Sequence, residues 1–241
     1  MKMVEIRASG LPLEYVLGCT KFCGLRIEVE RGVFVPRQRT EFLVKQAEAL
    51  THIDDIVVDL CCGSGAVGAA IATDINKIVL HSVDIDPVAV KCASRNLTNI
   101  GGHVYQGDLY RALPPSLRGR VNIIVANVPY VPTDKIKLLP QEARLYEPKV
   151  ALDGGKDGLD LQRKAAEEAP IWLAPGGHLL VETSEIQAAQ TLEIFANAGL
   201  TTKLARDEEW DATVIIGTNS GKNNLFRKTD DIKMTGKNLT K

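Results

Sequence analysis

From Ile56 onward, short apolar runs alternate with helical patterns, and this alternation limits the possible folds more than any other feature of the chain. "IVVDL" reads as a buried strand, "CCGSGAVG" as a Gly-rich turn and "AVGAAIATDI" as the helix behind it. "KIVLHSVD" is a second strand, and Pro87 opens a helix through "VAVKCASRNLTN". A short strand near Val104-Tyr105 leads to Gly107-Asp108, and "VNIIVAN" is a fourth strand. "LDLQRKAAEEAPIWL" follows as an amphipathic helix, Pro175-Gly176-Gly177 as a turn and "HLLVET" as a fifth strand. A helix over "EIQAAQTLEIFANA" stops at Gly199, and "LTTKLARD" and "DATVIIGT" lie close enough to pair antiparallel. Such alternation predicts an α/β fold, a mostly parallel sheet with helices on both faces.

Ahead of this unit, Phe22–Val29 and Val33–Val35 alternate in hydrophobicity around Arg31-Gly32, which predicts a small β-hairpin. Thr40 reads as the N-cap of a helix with Phe42, Leu43, Ala47 and Leu50 on one face. The division expected is an N-terminal hairpin and helix over 1–50, the α/β unit over 51–218, and a polar, disordered tail over 219–241. Between Val131 and about Gly158 runs a Pro-, Gly- and charge-rich stretch long enough to be a cover over a site.

A formal net charge of −1 supplies no global field toward nucleic acid or anionic membrane. The apolar runs are too short to span a bilayer, and Met1–Gly10 lacks the apolar centre of a signal peptide. Five scattered cysteines, with no matching Cys/His set, point to free thiols in a reducing cytoplasm and to no metal site.

In parallel sheets, ligands bind outside the carboxyl ends of the strands. Four such ends carry candidate residues: Asp59 to Gly65, Asp84, Asp108-Leu109 and Asn127-Val128-Pro129-Tyr130. Gly63 and Gly65 let the backbone turn tightly against a ligand, and Asp84 follows Gly65 by 19 residues, the spacing of a carboxylate that binds ribose hydroxyls. Gly63-x-Gly65-x-x-Gly68 also meets the dinucleotide spacing, so the glycines alone do not choose the cofactor. Asp59 does, because a carboxylate there repels a pyrophosphate and suits the α-ammonium of an amino-acid-bearing cofactor. Asp108 can accept from an adenine amino group. Both point to S-adenosylmethionine. The plainer reading has Asp59 capping the Gly turn, Asp84 capping the helix opened by Pro87, and the Asn127–Tyr130 segment as a Pro-terminated turn.

The residues resemble those of the protein-glutamine N-methyltransferases that modify peptide chain release factors (PrmC/HemK). The resemblance runs from about Leu13 to Gly217 through "PLEYVLG", "FCGLRIEVERGVFVPRQRTEFLV", "VVDLCCGSGAVG", "VDIDPVAV", "ANVPYVP", "YEPKVALDGGKDGL", "LAPGGHLLVE" and "VIIG". It implies a Rossmann-like class I S-adenosylmethionine-dependent methyltransferase fold with a seven-stranded sheet and an N-terminal hairpin. It also implies a cofactor site of Asp59, Leu60, Cys61, Cys62, Gly63, Gly65, Asp84, Asp108, Leu109 and Asn127. The substrate amide would be held by Asn127, Val128, Pro129 and Tyr130. The family's Asn-Pro-Pro-Tyr reads Asn-Val-Pro-Tyr here, and a backbone carbonyl, which Val128 has, is the group required at that position. About a dozen residues precede the matched stretch, where the family carries a helical docking domain. Asp211-Ala212-Thr213 stands where an Arg is often found.

The expected function is N-methylation of a side-chain amide, most simply glutamine in a protein resembling a release factor. The alternatives are a small amine or amide metabolite, an exocyclic amine in nucleic acid, and a non-catalytic module that binds S-adenosylmethionine.

Overall fold

The computed structural model describes residues 2–221. Two short helices, α1 (Lys2–Ala8) and α2 (Leu13–Leu17), precede a hairpin of β1 (Cys19–Phe22) and β2 (Leu25–Glu28), and α3 (Glu41–Glu48) follows. The hairpin turns at Cys23-Gly24, not at Arg31-Gly32, with φ of +46° and +74°. Two consecutive residues at positive φ match the right-handed twist of the flanking strands, so the alternating run Phe22–Val29 is folded back on itself. Val33 and Val35 are buried outside any strand, and Tyr15 donates its hydroxyl to the Val33 carbonyl at 2.6 Å.

The main sheet contains β3 (Ile56–Leu60), β4 (Val79–Asp84), β5 (His103–Gln106), β6 (Val121–Ala126), β7 (Leu173–Thr183), β8 (Thr201–Asp207) and β9 (Ala212–Thr218). Its order is β5-β4-β3-β6-β7-β9-β8. The first five are parallel to one another, while β9 runs antiparallel to both β7 and β8. This is the mostly parallel seven-stranded α/β sheet expected. Four further helices cover it: α4 (Ala66–Asp74), α5 (Pro87–Leu97), α7 (Asp160–Trp172) and α8 (Ala188–Asn197). Consecutive strand residues enter opposite layers. Val57, Ile123 and Val125 pack with residues of α3, α4 and α5, whereas Val58, Ile124 and Ala126 pack with Ala166, Ala169 and Phe195. Both faces are covered, which is why these strands read as continuous apolar runs.

Pro175-Gly176-Gly177 lies inside β7 as an irregularity in the β6–β7 register. A Cβ on Gly177 would sit 2.8 Å from the Val121 carbonyl oxygen, so the close approach of the two strands there requires glycine. The stretch after Val131 is built rather than structureless. It contains a 3-10 turn over Thr133–Leu138, the helix α6 (Gln141–Tyr146) and a second 3-10 turn over Lys149–Ala151, and it returns to pair Val131 with Asp153. Asn219, expected to begin the polar tail, is buried and donates to the Leu173 carbonyl at 3.0 Å. Residues 222–241 of that tail lie outside the described residues. Among the described residues, no helix is long and apolar enough to cross a membrane.

Candidate active site

The chain moves outward from β3 through β4 to β5, then returns to place β6 on the other side of β3. That reversal opens a crevice at the carboxyl ends of the strands. Leu60 pairs with Ala126, and Asp84 with Gln106, so four strand ends finish nearly level. The turns that follow them line one cavity of about 840 Å³.

Asp59 is 2% exposed and accepts the Gly68 N–H through Oδ2 at 3.0 Å. Part of the plainer reading therefore holds, because one of its oxygens steadies the first turn of α4. Asp59 is also among the residues that line the cavity. Burial pushes the Asp59 carboxyl up to about 7, with Asp84 adding to the rise and the Gly68 N–H opposing it. Asp84 does not cap the helix opened by Pro87; Asp86 does, accepting the Val88 N–H at 2.8 Å. The Asp84 carboxylate instead accepts Gly63 N–H at 2.8 Å and Asp86 N–H at 2.9 Å. Burial raises this carboxyl too, against those two hydrogen bonds. Two desolvated acids in one crevice favour a cationic ligand over a pyrophosphate.

Gly63, Cys61 and Cys62 also line the cavity, and Leu60 ends β3 just behind them. Nothing lies within 4 Å of where a Gly63 Cβ would project, which leaves an open cradle against the backbone. A Cβ on Gly65, by contrast, would press on Leu97 and Ala93, and the φ of +77° at Gly65 starts α4. Two non-glycine residues on the cavity wall, Cys61 (φ +55°) and Leu109 (φ +47°), sit in the left-handed region, a strain that collects at binding sites. Burial, followed by the nearby aspartates, drives both the Cys61 and Cys62 thiols upward, so they stay neutral. Asp108 lies on the same wall with its side chain 43% exposed.

On the other side of the crevice, Asn127 donates Nδ2 to Thr40 Oγ1 at 3.2 Å. Thr40 occupies the N-cap position of α3 but makes no capping bond, so its buried hydroxyl serves Asn127 instead. Among the described residues, neither Asn127 Oδ1 nor the Val128 carbonyl accepts a hydrogen bond. Val128 is 1% exposed. The Tyr130 hydroxyl donates to Glu182 Oε1 at 3.2 Å and receives a short bond from Arg39. Arg39 also pairs with Glu182 at 3.3 Å. Burial, then Glu182, raises the Tyr130 phenol. From below, Gln187 donates to the Tyr130 carbonyl at 3.0 Å.

The cover segment is fastened to the N-terminal region. Glu147 accepts from Val35 N–H at 3.2 Å and Arg37 at 2.6 Å, and Glu142 pairs with Arg7 at 2.6 Å. Of the strand-end residues picked out from the sequence, all but Leu60 and Gly65 line this cavity. Sequence reasoning missed Arg39, Thr40 and Glu182, which brace the Asn127–Tyr130 turn from outside. A signal for Glu182 was available, since an acid inside an apolar strand must find a partner.

The Methyltransferase small domain family matches residues 25–143. A release factor glutamine methyltransferase of Geobacter sulfurreducens is 38% identical over 199 residues, covering 82% of this chain and 69% of the relative. A 4-amino-L-phenylalanine/4-methylamino-L-phenylalanine methyltransferase of Streptomyces pristinaespiralis is 32% identical over 203 residues, covering 81% and 69%. Among solved structures, a methyltransferase from Pyrococcus furiosus superposes with a TM-score of 0.62 at 17% identity, covering 81% of this chain and 89% of that one. With the strand-end acids and the Asn-Val-Pro-Tyr turn on one crevice, this chain is an S-adenosylmethionine-dependent methyltransferase and belongs to the release factor glutamine methyltransferase family.

Proposed function

We propose that this chain methylates the side-chain amide nitrogen of a glutamine in a release factor. The observation that carries the reading is the pair of unclaimed acceptors at the end of β6, Asn127 Oδ1 and the Val128 carbonyl, beside a cavity walled by acids. An amide nitrogen shares its lone pair with its carbonyl and is a weak nucleophile. Two acceptors that each take one N–H hold that nitrogen with its lone pair turned toward the methyl donor. Tyr130, with its hydroxyl tied to Glu182 and Arg39, offers a fixed aromatic face for the flat amide. Pro129 limits the backbone between them.

Asp84 would hold the ribose hydroxyls with the lone pairs left after Gly63 and Asp86 are served. Asp59 would face the α-ammonium, while Asp108, Leu109 and the Leu60–Gly65 turn would enclose the rest. When bound, S-adenosylmethionine supplies an electrophilic methyl group on a sulfonium. The side chains then need only align the nitrogen and exclude water, and such alignment is worth at most about 7–11 kcal/mol. No buried general base is required, since the proton leaves the nitrogen after the methyl has arrived. Five unpaired cysteines suit a reducing cytoplasm as the setting.

The second reading is a free amino acid bearing an aromatic amine, favoured by the Streptomyces pristinaespiralis relative. Such an acceptor would need a cation for its α-carboxylate. The two cavity arginines, Arg37 and Arg39, are each paired with a buried glutamate, which leaves Lys164 as the cation on the cavity wall that such a carboxylate would use. The test is incubation of the enzyme and its Asn127→Ala variant with labelled methyl donor and either release factors or 4-amino-L-phenylalanine. Wild-type label on a release-factor glutamine, lost in Asn127→Ala, supports the reading. Label on the free amino acid alone overturns it.

A further inference from the structure

We propose that Thr40 is a positioning residue for the methyl transfer, holding the Asn127 carboxamide at the angle from which its oxygen meets the acceptor. The inference rests on the amide-acceptor reading and deepens it.

A carboxamide has two ends of similar size and opposite polarity. Only the oxygen end can accept an N–H, so an Asn127 flipped by half a turn would present donors to a donor and hold nothing. Asn127 therefore needs a partner that stops its carboxamide from swinging, after which the N–H of the acceptor itself selects the oxygen end. The structure gives it one: Thr40 Oγ1 accepts from Nδ2 at 3.2 Å, and no other side-chain bond fixes this amide among the described residues.

Thr40 is suited to the task. It is 2% exposed, so water does not compete for its hydroxyl. Its position at the start of α3 would ordinarily engage the oxygen with backbone N–H groups of the first turn, yet it makes no capping bond. The hydroxyl is thus free of local duties and lies against the cavity wall beside Asn127. The two flanking contacts keep the backbone in place. Arg39 is tied to Tyr130 and Glu182, and the neighbouring Arg37 to Glu147. The short 3-10 turn Gln38–Thr40 is therefore anchored independently of Asn127, which makes it a fixed reference for the amide.

The experiment compares Thr40→Val, which keeps the shape and removes the acceptor, with Thr40→Ser, which restores it. Thr40→Val is expected to lower kcat ten- to hundredfold, with acceptor KM and S-adenosylhomocysteine affinity each within threefold of wild type. Thr40→Ser is expected to recover kcat to within threefold. An unchanged kcat in Thr40→Val overturns the proposal. So does a Thr40→Ser variant as slow as Thr40→Val, or a loss of cofactor affinity that parallels the loss of rate. The side-chain amide protons of Asn127 in isotope-labelled protein give a readout without any acceptor. They are expected to exchange faster with water in Thr40→Val than in wild type or Thr40→Ser, and equal exchange in all three overturns the contact. Should wild type methylate no glutamine, the acceptor reading fails while this readout still decides the role of Thr40.

Discussion

Asp59 leads to a numerical expectation for cofactor binding. Its carboxyl, pushed up to about 7 chiefly by burial, is almost wholly protonated in the free protein at low pH. A cofactor ammonium set against it favours the ionised form, so binding releases a proton and affinity rises with pH. Between about pH 5.5 and about pH 7, the ionised fraction grows from roughly 3% to roughly 50%, which raises affinity about 15-fold, or about 1.6 kcal/mol. An ordinary α-amino group, with a pKa near about 8, stays charged across this window. Titration calorimetry with S-adenosylhomocysteine, in two buffers of different ionisation enthalpy, reads both the affinity and the released proton. Asp84 titrates in the same crevice and is also raised by burial, so Asp59→Asn is the control; it keeps an oxygen for the Gly68 N–H and should flatten most of the slope. The folded pKa lies above the unfolded value of 3.8. Ionising Asp59 therefore costs stability progressively as pH rises from about 4 to about 7. Asp59→Asn should accordingly raise the Tm of the cofactor-free protein at pH 8 and hardly move it near pH 4. Flat affinity without proton release, or an Asp59→Asn variant with the full slope, refutes the assignment of Asp59 to the ammonium.

Asp84→Ala removes the acceptor for two backbone N–H groups and, on the proposed reading, for the ribose; calorimetry should show at least about a hundredfold loss of cofactor affinity, and unchanged binding would remove the ribose assignment. Glu182→Ala takes the acceptor from the Tyr130 hydroxyl and the partner from Arg39, so steady-state kinetics should show a kcat lower by about tenfold with cofactor affinity preserved. Gly158→Ala places a Cβ at φ +80° against the Tyr130 carbonyl and 2.5 Å from Gln187 Nε2. Urea unfolding should read a loss of about 2–4 kcal/mol, and a neutral variant would mean that the cover segment yields easily. Val128→Ala empties a site that is 1% exposed and should cost about 2 kcal/mol in the same assay.

The sheet was legible because each of its strands carries its own signal. "IVVDL" and "VNIIVA" are apolar at every position, and both of their faces prove to be covered. The strand-end acids were legible because an Asp at the close of an apolar run has few structural uses. The hairpin turn was misplaced because alternation continues smoothly through Cys23-Gly24, where the backbone reverses. Nothing in hydrophobic period marks a residue such as Cys23 at positive φ. Thr40 was read correctly as the N-cap position and wrongly as a capping side chain, since its partner, Asn127, lies 87 residues away. Contacts of that separation depend on how β6 and α3 are brought together, and local propensity carries no trace of it.

The same distinction bears on Val128. In the sequence, a valine in place of proline looks like a loosened clamp, because proline restricts φ by its ring. In the fold, Val128 is fixed by packing instead. Its side chain is buried in the same cluster as Leu60, Leu109 and Ala126, so the backbone on either side of it cannot turn without opening the core. Pro129 follows directly and confines Val128 to extended conformations. The carbonyl between them is thereby directed by two constraints, one steric and one hydrophobic. Burial supplies the rigidity that a second proline ring would supply, and the carbonyl proposed to accept from the substrate amide is present in both cases.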